Sequence, residues 1–158
     1  MGDPAPRQTN PALAQLAVFE GEWQMELANA SFLPDPGATV RGHMSGYWAL
    51  DGAFLVMRQG DREPSPPAAL WLIGRDEALD GYEVLYFDAR HVSRIYRMSF
   101  VGRTWKMWRE APSFWQRFEC TVAENGSSMA GHWDRSMDDG ASWQHDFDVA
   151  YVKKCACA

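Results

Sequence analysis

From Val92 to Phe100 the chain alternates strictly, with Val92, Arg94, Tyr96, Met98 and Phe100 on one side and Ser93, Ile95, Arg97 and Ser99 on the other. A period of two is the mark of a half-buried β-strand. The same period recurs along most of the chain, in runs rich in Val, Ile, Tyr, Phe and Trp separated by the turn pairs Asp51-Gly52, Asp80-Gly81, Asn125-Gly126 and Asp139-Gly140. It predicts about ten strands, near 22–28, 38–48, 53–60, 68–76, 82–88, 92–100, 103–109, 114–123, 128–135 and 143–152. Only "NPALAQLAVF", Asn10 to Phe19, reads otherwise. An Asn cap, a Pro at the first helical position and a stripe of Leu13, Leu16 and Ala17 predict one short helix there.

An open sheet of ten twisted strands would leave two unpaired edges, and closure removes them. The expected fold is therefore all-β, a closed or nearly closed antiparallel β-barrel spanning 10–153, with a flexible lead-in at 1–9 and a flexible tail at 154–158. A barrel of that size has an interior wide enough to hold a small ligand.

Hairpin parity assigns faces, because residues directly opposite in an antiparallel pair share a side. A turn at Val101-Gly102 pairs Met98 with Trp105, Tyr96 with Met107 and Arg94 with Arg109. A turn at Gly102-Arg103 slides the pairs and keeps the faces. Tyr96, Met98, Phe100, Trp105 and Met107 then point inward with Arg94 and Arg109 near one end. The following strand sends Gln116 and Phe118 in with Phe114, Cys120 and Val122. A buried Gln116 among apolar neighbours needs a partner or costs roughly 1–3 kcal/mol. Arg94, Tyr96 and Arg109 make two guanidinium forks and a phenol on an aromatic wall, chemistry suited to a carboxylate with an apolar body. The competing reading gives these arginines ordinary ion pairs with Asp88, Glu110 or Glu119 at the barrel rim.

The last hairpin turns on one loop. A two-residue loop at Asp139-Gly140 sets Asp134 opposite His145 and brings His132, Asp134 and His145 inside, as a non-haem-iron face would need. A three-residue loop, Asp138-Asp139-Gly140, sets Trp133 opposite His145, sends Met129 and Trp133 inward and turns His132 and Asp134 out. The second pattern is the better hydrophobic one, so no metal is expected. In both, His145 faces the lumen.

Charge and cysteine content narrow the field. A net charge of −6 over 158 residues opposes a nucleic-acid partner, whose phosphates need clustered Lys and Arg. No apolar run approaches the ~20 residues of a membrane helix, and the start shows no secretory leader. Three cysteines, two of them in the tail "CACA", do not make a disulfide framework, so a reducing cytoplasm is expected. Trp108 and Trp115 read outward and offer a surface for a homodimer.

Gly21-Glu22-Trp23 after the short helix resembles the G-x-W opening of lipocalins and other calycins. "RSMDDGASWQHDFDVAYVKK", with Ser136, Asp138 or Asp139, Gly140, Trp143, Phe147 and Tyr151, resembles the final hairpin of a family of small bacterial calycin-like proteins of unknown function. In lipocalins a basic residue of the late barrel packs over that first Trp, which makes Lys153, Lys154 or Arg135 the partner of Trp23. Arg94-Ile95-Tyr96 is similar to the R-x-Y that holds a carboxylate in fatty-acid-binding proteins, although it lies here in mid-chain. These resemblances imply a small-molecule binding barrel, and the strand parity makes Arg94, Tyr96, Arg109, Gln116, Met98, Trp105, Met107, Phe118 and His145 its candidate lining. Two alternatives come with them. A lipocalin-fold enzyme would use the Arg and Tyr clamp with His145 as acid or base. A haem protein, as in nitrobindin-like barrels, would ligate iron through His145, but an inward His among aromatics is first a hydrogen-bonded core residue, so no cofactor is expected.

Overall fold

The computed structural model describes residues 10–60, 68–76 and 78–155. The lead-in at 1–9, the Pro-rich break within 61–67 and the end of the tail at 156–158 lie outside the described residues. Ten strands follow one another as a meander: β1 (Gly21–Ala28), β2 (Val40–Ala49), β3 (Phe54–Gly60), β4 (Ala69–Gly74), β5 (Tyr82–Asp88), β6 (Ser93–Val101), β7 (Thr104–Arg109), β8 (Trp115–Val122), β9 (Ser128–Ser136) and β10 (Gln144–Lys153). Each pairs antiparallel with its sequence neighbours, and β1 pairs with β10 to close the barrel. All four Asp-Gly and Asn-Gly pairs fall between strands. No helix among the described residues is long and apolar enough to cross a membrane.

The helix predicted at the N-terminus is a 3₁₀ helix, Pro11–Phe19, whose Asn10 side chain accepts a hydrogen bond from the Ala12 N–H. Three residues per turn place every third side chain on one face, so Leu13, Leu16 and Phe19 are buried and Ala17 is exposed. That stripe plugs one end of the barrel. The Phe19 ring lies 5.2 Å from Phe100 and 4.7 Å from Trp105, the Trp23 Nε1–H donates to the Phe19 carbonyl at 3.1 Å, and the Tyr82 hydroxyl donates to the Ala12 carbonyl at 3.1 Å. Gly46 is required where the plug crosses β2, because a Cβ there would stand 2.0 Å from the Phe19 carbonyl oxygen.

Trp23 sits directly opposite Lys153, whose ammonium lies 5.0 Å from the indole. Lys153 is thus its basic partner, and Arg135 lies at the other end of the barrel.

β6 and β7 meet in the second of the two registers: Phe100 pairs with Trp105 and Met98 with Met107 around a Gly102-Arg103 turn. β8 alternates as read, with Gln116, Phe118, Cys120 and Val122 buried and Arg117, Glu119 and Thr121 exposed. Burial pushes the Cys120 thiol up to about 12, so it behaves as a core side chain.

The last hairpin departs from both loop readings. Near the turn His145 is opposite Asp134, as a two-residue loop requires, but from Phe147 onward Trp133 is opposite Phe147 and His132 opposite Asp148. Asp146 is the extra residue of a β-bulge, and one extra residue reverses the parity of the strand. Trp133 is therefore buried and His132 exposed, as the three-residue reading had it, while His145 is exposed and not in the lumen. Asp146 turns in instead, only 6% exposed, and accepts from the Ser31 hydroxyl at 3.1 Å. The Ser-x-Asp motif of this hairpin is a structural staple: Asp138 accepts from the Ser136 hydroxyl at 2.7 Å and the Ser142 amide at 2.8 Å. Its carboxyl is lowered to about 2, first by the hydrogen bond from the Ser142 hydroxyl.

Candidate functional site

At the barrel end opposite the helix, the strand registers collect arginines. Arg94 faces Tyr86 across β5 and β6, and Arg109, Gln116 and Arg135 form one row across β7, β8 and β9. Gln116 is the hub. Its Oε1 accepts from Arg94 Nη1 at 3.1 Å and from the Tyr96 hydroxyl at 2.6 Å. The partner its burial demands comes from these two side chains.

Both arginines sit against neutral groups. Arg94 also lies over the Phe114 ring at 5.1 Å, and Arg109 donates to the Phe114 carbonyl at 3.4 Å. Of the three carboxylates offered for ion pairs, Asp88 and Glu119 are engaged elsewhere, and Glu110 makes no ion pair with either arginine among the described residues. Asp88 binds Arg90 at 2.6 Å and accepts from the Tyr86 hydroxyl at 2.7 Å, and Glu119 pairs with Lys106 at 3.1 Å. The Arg90 hydrogen bond, ahead of that from Tyr86, holds the Asp88 carboxyl well below the usual range. Among the described residues, no carboxylate comes within ion-pair distance of Arg94 or Arg109. Arg135 does find one, Asp146, at 3.7 Å.

The rim is rich in donors. Among the described residues, the buried Nε of Arg135 and the buried indole N–H of Trp71 have no hydrogen-bond partner. Trp71, opposite Tyr86 on the adjacent strand, belongs to an aromatic floor beneath the arginines. Its ring lies 4.5 Å from Tyr86, 5.8 Å from Tyr96 and 6.1 Å from Trp133. Burial pushes the Tyr96 hydroxyl up, against the downward pull of Arg94 and Arg109, so it stays a neutral donor. Donor groups with few acceptors, three of them guanidinium groups of which only Arg135 meets a carboxylate among the described residues, favour an incoming oxyanion over a cation or a neutral donor.

The structure thus brings together four of the sequence-derived site residues: Arg94, Tyr96, Arg109 and Gln116. Met98, Met107 and Phe118 lie one inward position deeper along their strands and are buried. Trp105 belongs to the plugged end, against Phe19. His145 stands outside, 3.8 Å from Asp134 and 3.3 Å from Asp148. Sequence reasoning missed Trp71, Tyr86, Arg135 and Asp146 as members of the rim. Arg135 had a signal, since the parity that sends Met129 and Trp133 inward sends Arg135 inward too. Trp115 lies on the outward face, as read, and is partly covered there: a Cβ on Gly140 would stand 2.7 Å from its ring.

Gln116→Leu strips Tyr96 and Arg94 of their shared acceptor. The ligand-free protein is expected to lose about 1–3 kcal/mol, a fall of several degrees in a thermal melt; an unchanged melt would remove Gln116 as the hub.

The architecture has solved counterparts. The crystal structure of Rv2717c from M. tuberculosis matches with a TM-score of 0.55 at 10% identity, over 94% of this chain and 100% of that one. At that identity the match speaks for the fold alone. No protein-family model matches the chain, and no curated protein matches it in sequence.

Proposed function

We propose that this barrel binds a small amphipathic anion, a carboxylate on an apolar body, through Arg94 and Arg109. One observation carries the reading: two inward guanidinium groups share a rim with Tyr96 and Gln116 and, among the described residues, have only neutral acceptors. A carboxylate would replace a neutral contact with a bidentate, charge-assisted one.

Calycin kinship is part of this reading, supported by the helix before Gly21-Glu22-Trp23 and by Lys153 over Trp23. The free thiols of Cys120 and Cys155 suit a reducing compartment, as in the cytoplasm. The enzymatic and haem alternatives both required an inward His145, and with that ring exposed on the outer wall neither is carried forward.

The test is a titration of the protein with an amphipathic carboxylate, 11-(dansylamino)undecanoate, and with its methyl ester. Saturable binding of the acid and at least tenfold weaker binding of the ester are expected, since a charge-assisted contact contributes about 1.5–3 kcal/mol. Equal binding of both, or of neither, would refute the anion site.

A further inference from the structure

The lumen below the arginines is spanned by side chains. Trp71 on β4 and Trp133 on β9, which stand on opposite walls in the strand order, are 6.1 Å apart, and Tyr96 lies 5.5 Å from Trp133. An apolar body lying along the barrel axis would have to displace these rings. The outer wall beside the same arginines is different. A concave groove of about 910 Å³ runs over β5, β6 and β7; Leu85, Phe87, Ile95 and Trp108 give it apolar walls, and Arg94, Arg97 and Arg109 with Glu83 and Glu110 are its charged members. Its apolar side chains are open to solvent: Leu85 is 40% exposed, Phe87 44% and Ile95 62%.

The β6–β7 ladder explains how two inward arginines reach an outer groove. β6 begins at Ser93 and β7 runs to Arg109, yet their pairing stops at Arg97 opposite Trp108. Beyond that point the wall is not laced between these strands. Arg94 donates to Gln116 inside the barrel while also bordering the groove outside.

We propose that the ligand docks from the side: its apolar body lies in the outer groove over Leu85, Phe87, Ile95 and Trp108, and its anionic group reaches Arg94 and Arg109 where the ladder ends. This rests on the anion reading above and adds where the rest of the molecule goes. The occupant is a carboxylate bearing one aliphatic chain or a small fused aromatic system, since the groove has the size of a small-molecule site. The apolar walls suit the body of such a ligand, and three arginines of the lining, Arg94, Arg97 and Arg109, outnumber its two carboxylates, Glu83 and Glu110; a neutral lipid would leave Arg94 and Arg109 with neutral acceptors alone.

The experiment uses the dansyl fatty acid again, with Ile95→Glu and Leu85→Glu as groove variants, Val152→Glu as a control and Arg94→Ala with Arg109→Ala as the clamp variant. Val152 is 57% exposed on β10, away from the groove. Each Glu is placed on solvent-facing wall, and thermal melts confirm folding. Each groove variant is expected to weaken binding at least tenfold, with Val152→Glu within about twofold of wild type, because a carboxylate in the groove removes apolar contact and repels the anion. Wild-type affinity in both groove variants, with loss in the clamp variant, would overturn the lateral site and leave the anion site standing. Equal weakening by Val152→Glu would reduce the effect to general charge repulsion and overturn the lateral site as well. Unchanged binding in the clamp variant would sink both.

Discussion

Trp23→Ala is expected to destabilise the barrel by about 3–5 kcal/mol, lowering the thermal midpoint by roughly 10 °C or more for a chain of this size. The indole is fully buried, and it joins three parts of the structure. It packs in the core from β1, donates to the Phe19 carbonyl at the end of the plug and lies beneath the Lys153 ammonium of the closing strand. Removing it leaves a cavity and an unpaired carbonyl where the 3₁₀ helix meets the barrel. Lys153→Ala takes away the cation, its stem and a long 3.5 Å hydrogen bond to the Val18 carbonyl, so its cost should stay at about 1 kcal/mol. Urea or thermal unfolding of the two variants separates these terms. A Trp23→Ala midpoint within a few degrees of wild type would mean that the plug is held without it.

Arg94→Ala combined with Arg109→Ala is expected to weaken anion binding by about a hundredfold or more, since each charge-assisted hydrogen bond to the anion contributes roughly 1.5–3 kcal/mol. The two losses need not add, because both groups face one site. Folding should be nearly unaffected. Neither guanidinium pairs with a carboxylate among the described residues, and Gln116 keeps the Tyr96 hydroxyl. A large loss of affinity with little loss of stability is the signature of a clamp; large losses in both would make the arginines part of the scaffold.

Most of the fold can be read from the letters because the barrel is regular. Period-two alternation and Asp-Gly or Asn-Gly turns are local signals, and parity carries them from strand to strand without a structure in hand. The face of Arg94, Tyr96 and Arg109 survived a shift of the β6–β7 turn because moving the register by two leaves faces unchanged. Parity fails where a bulge intervenes. Asp146 adds one residue to β10, turns itself in and His145 out, and no letter announces it. The 3₁₀ plug is a similar case: a stripe spaced for 3.6 residues per turn selects Ala17, whereas three per turn selects Phe19. The aromatic bridge across the lumen was also out of reach, since contacts between opposite walls depend on closure and not on any pair of neighbouring strands.

Native mass spectrometry of the freshly purified protein, followed by denaturing extraction, tests the anion site most directly when run beside the Arg94→Ala, Arg109→Ala variant. The expected result is one small carboxylate retained per chain by the wild type and absent from the variant. A wild type that stays empty even after exposure to amphipathic carboxylates, or a variant that keeps the same ligand, would contradict it.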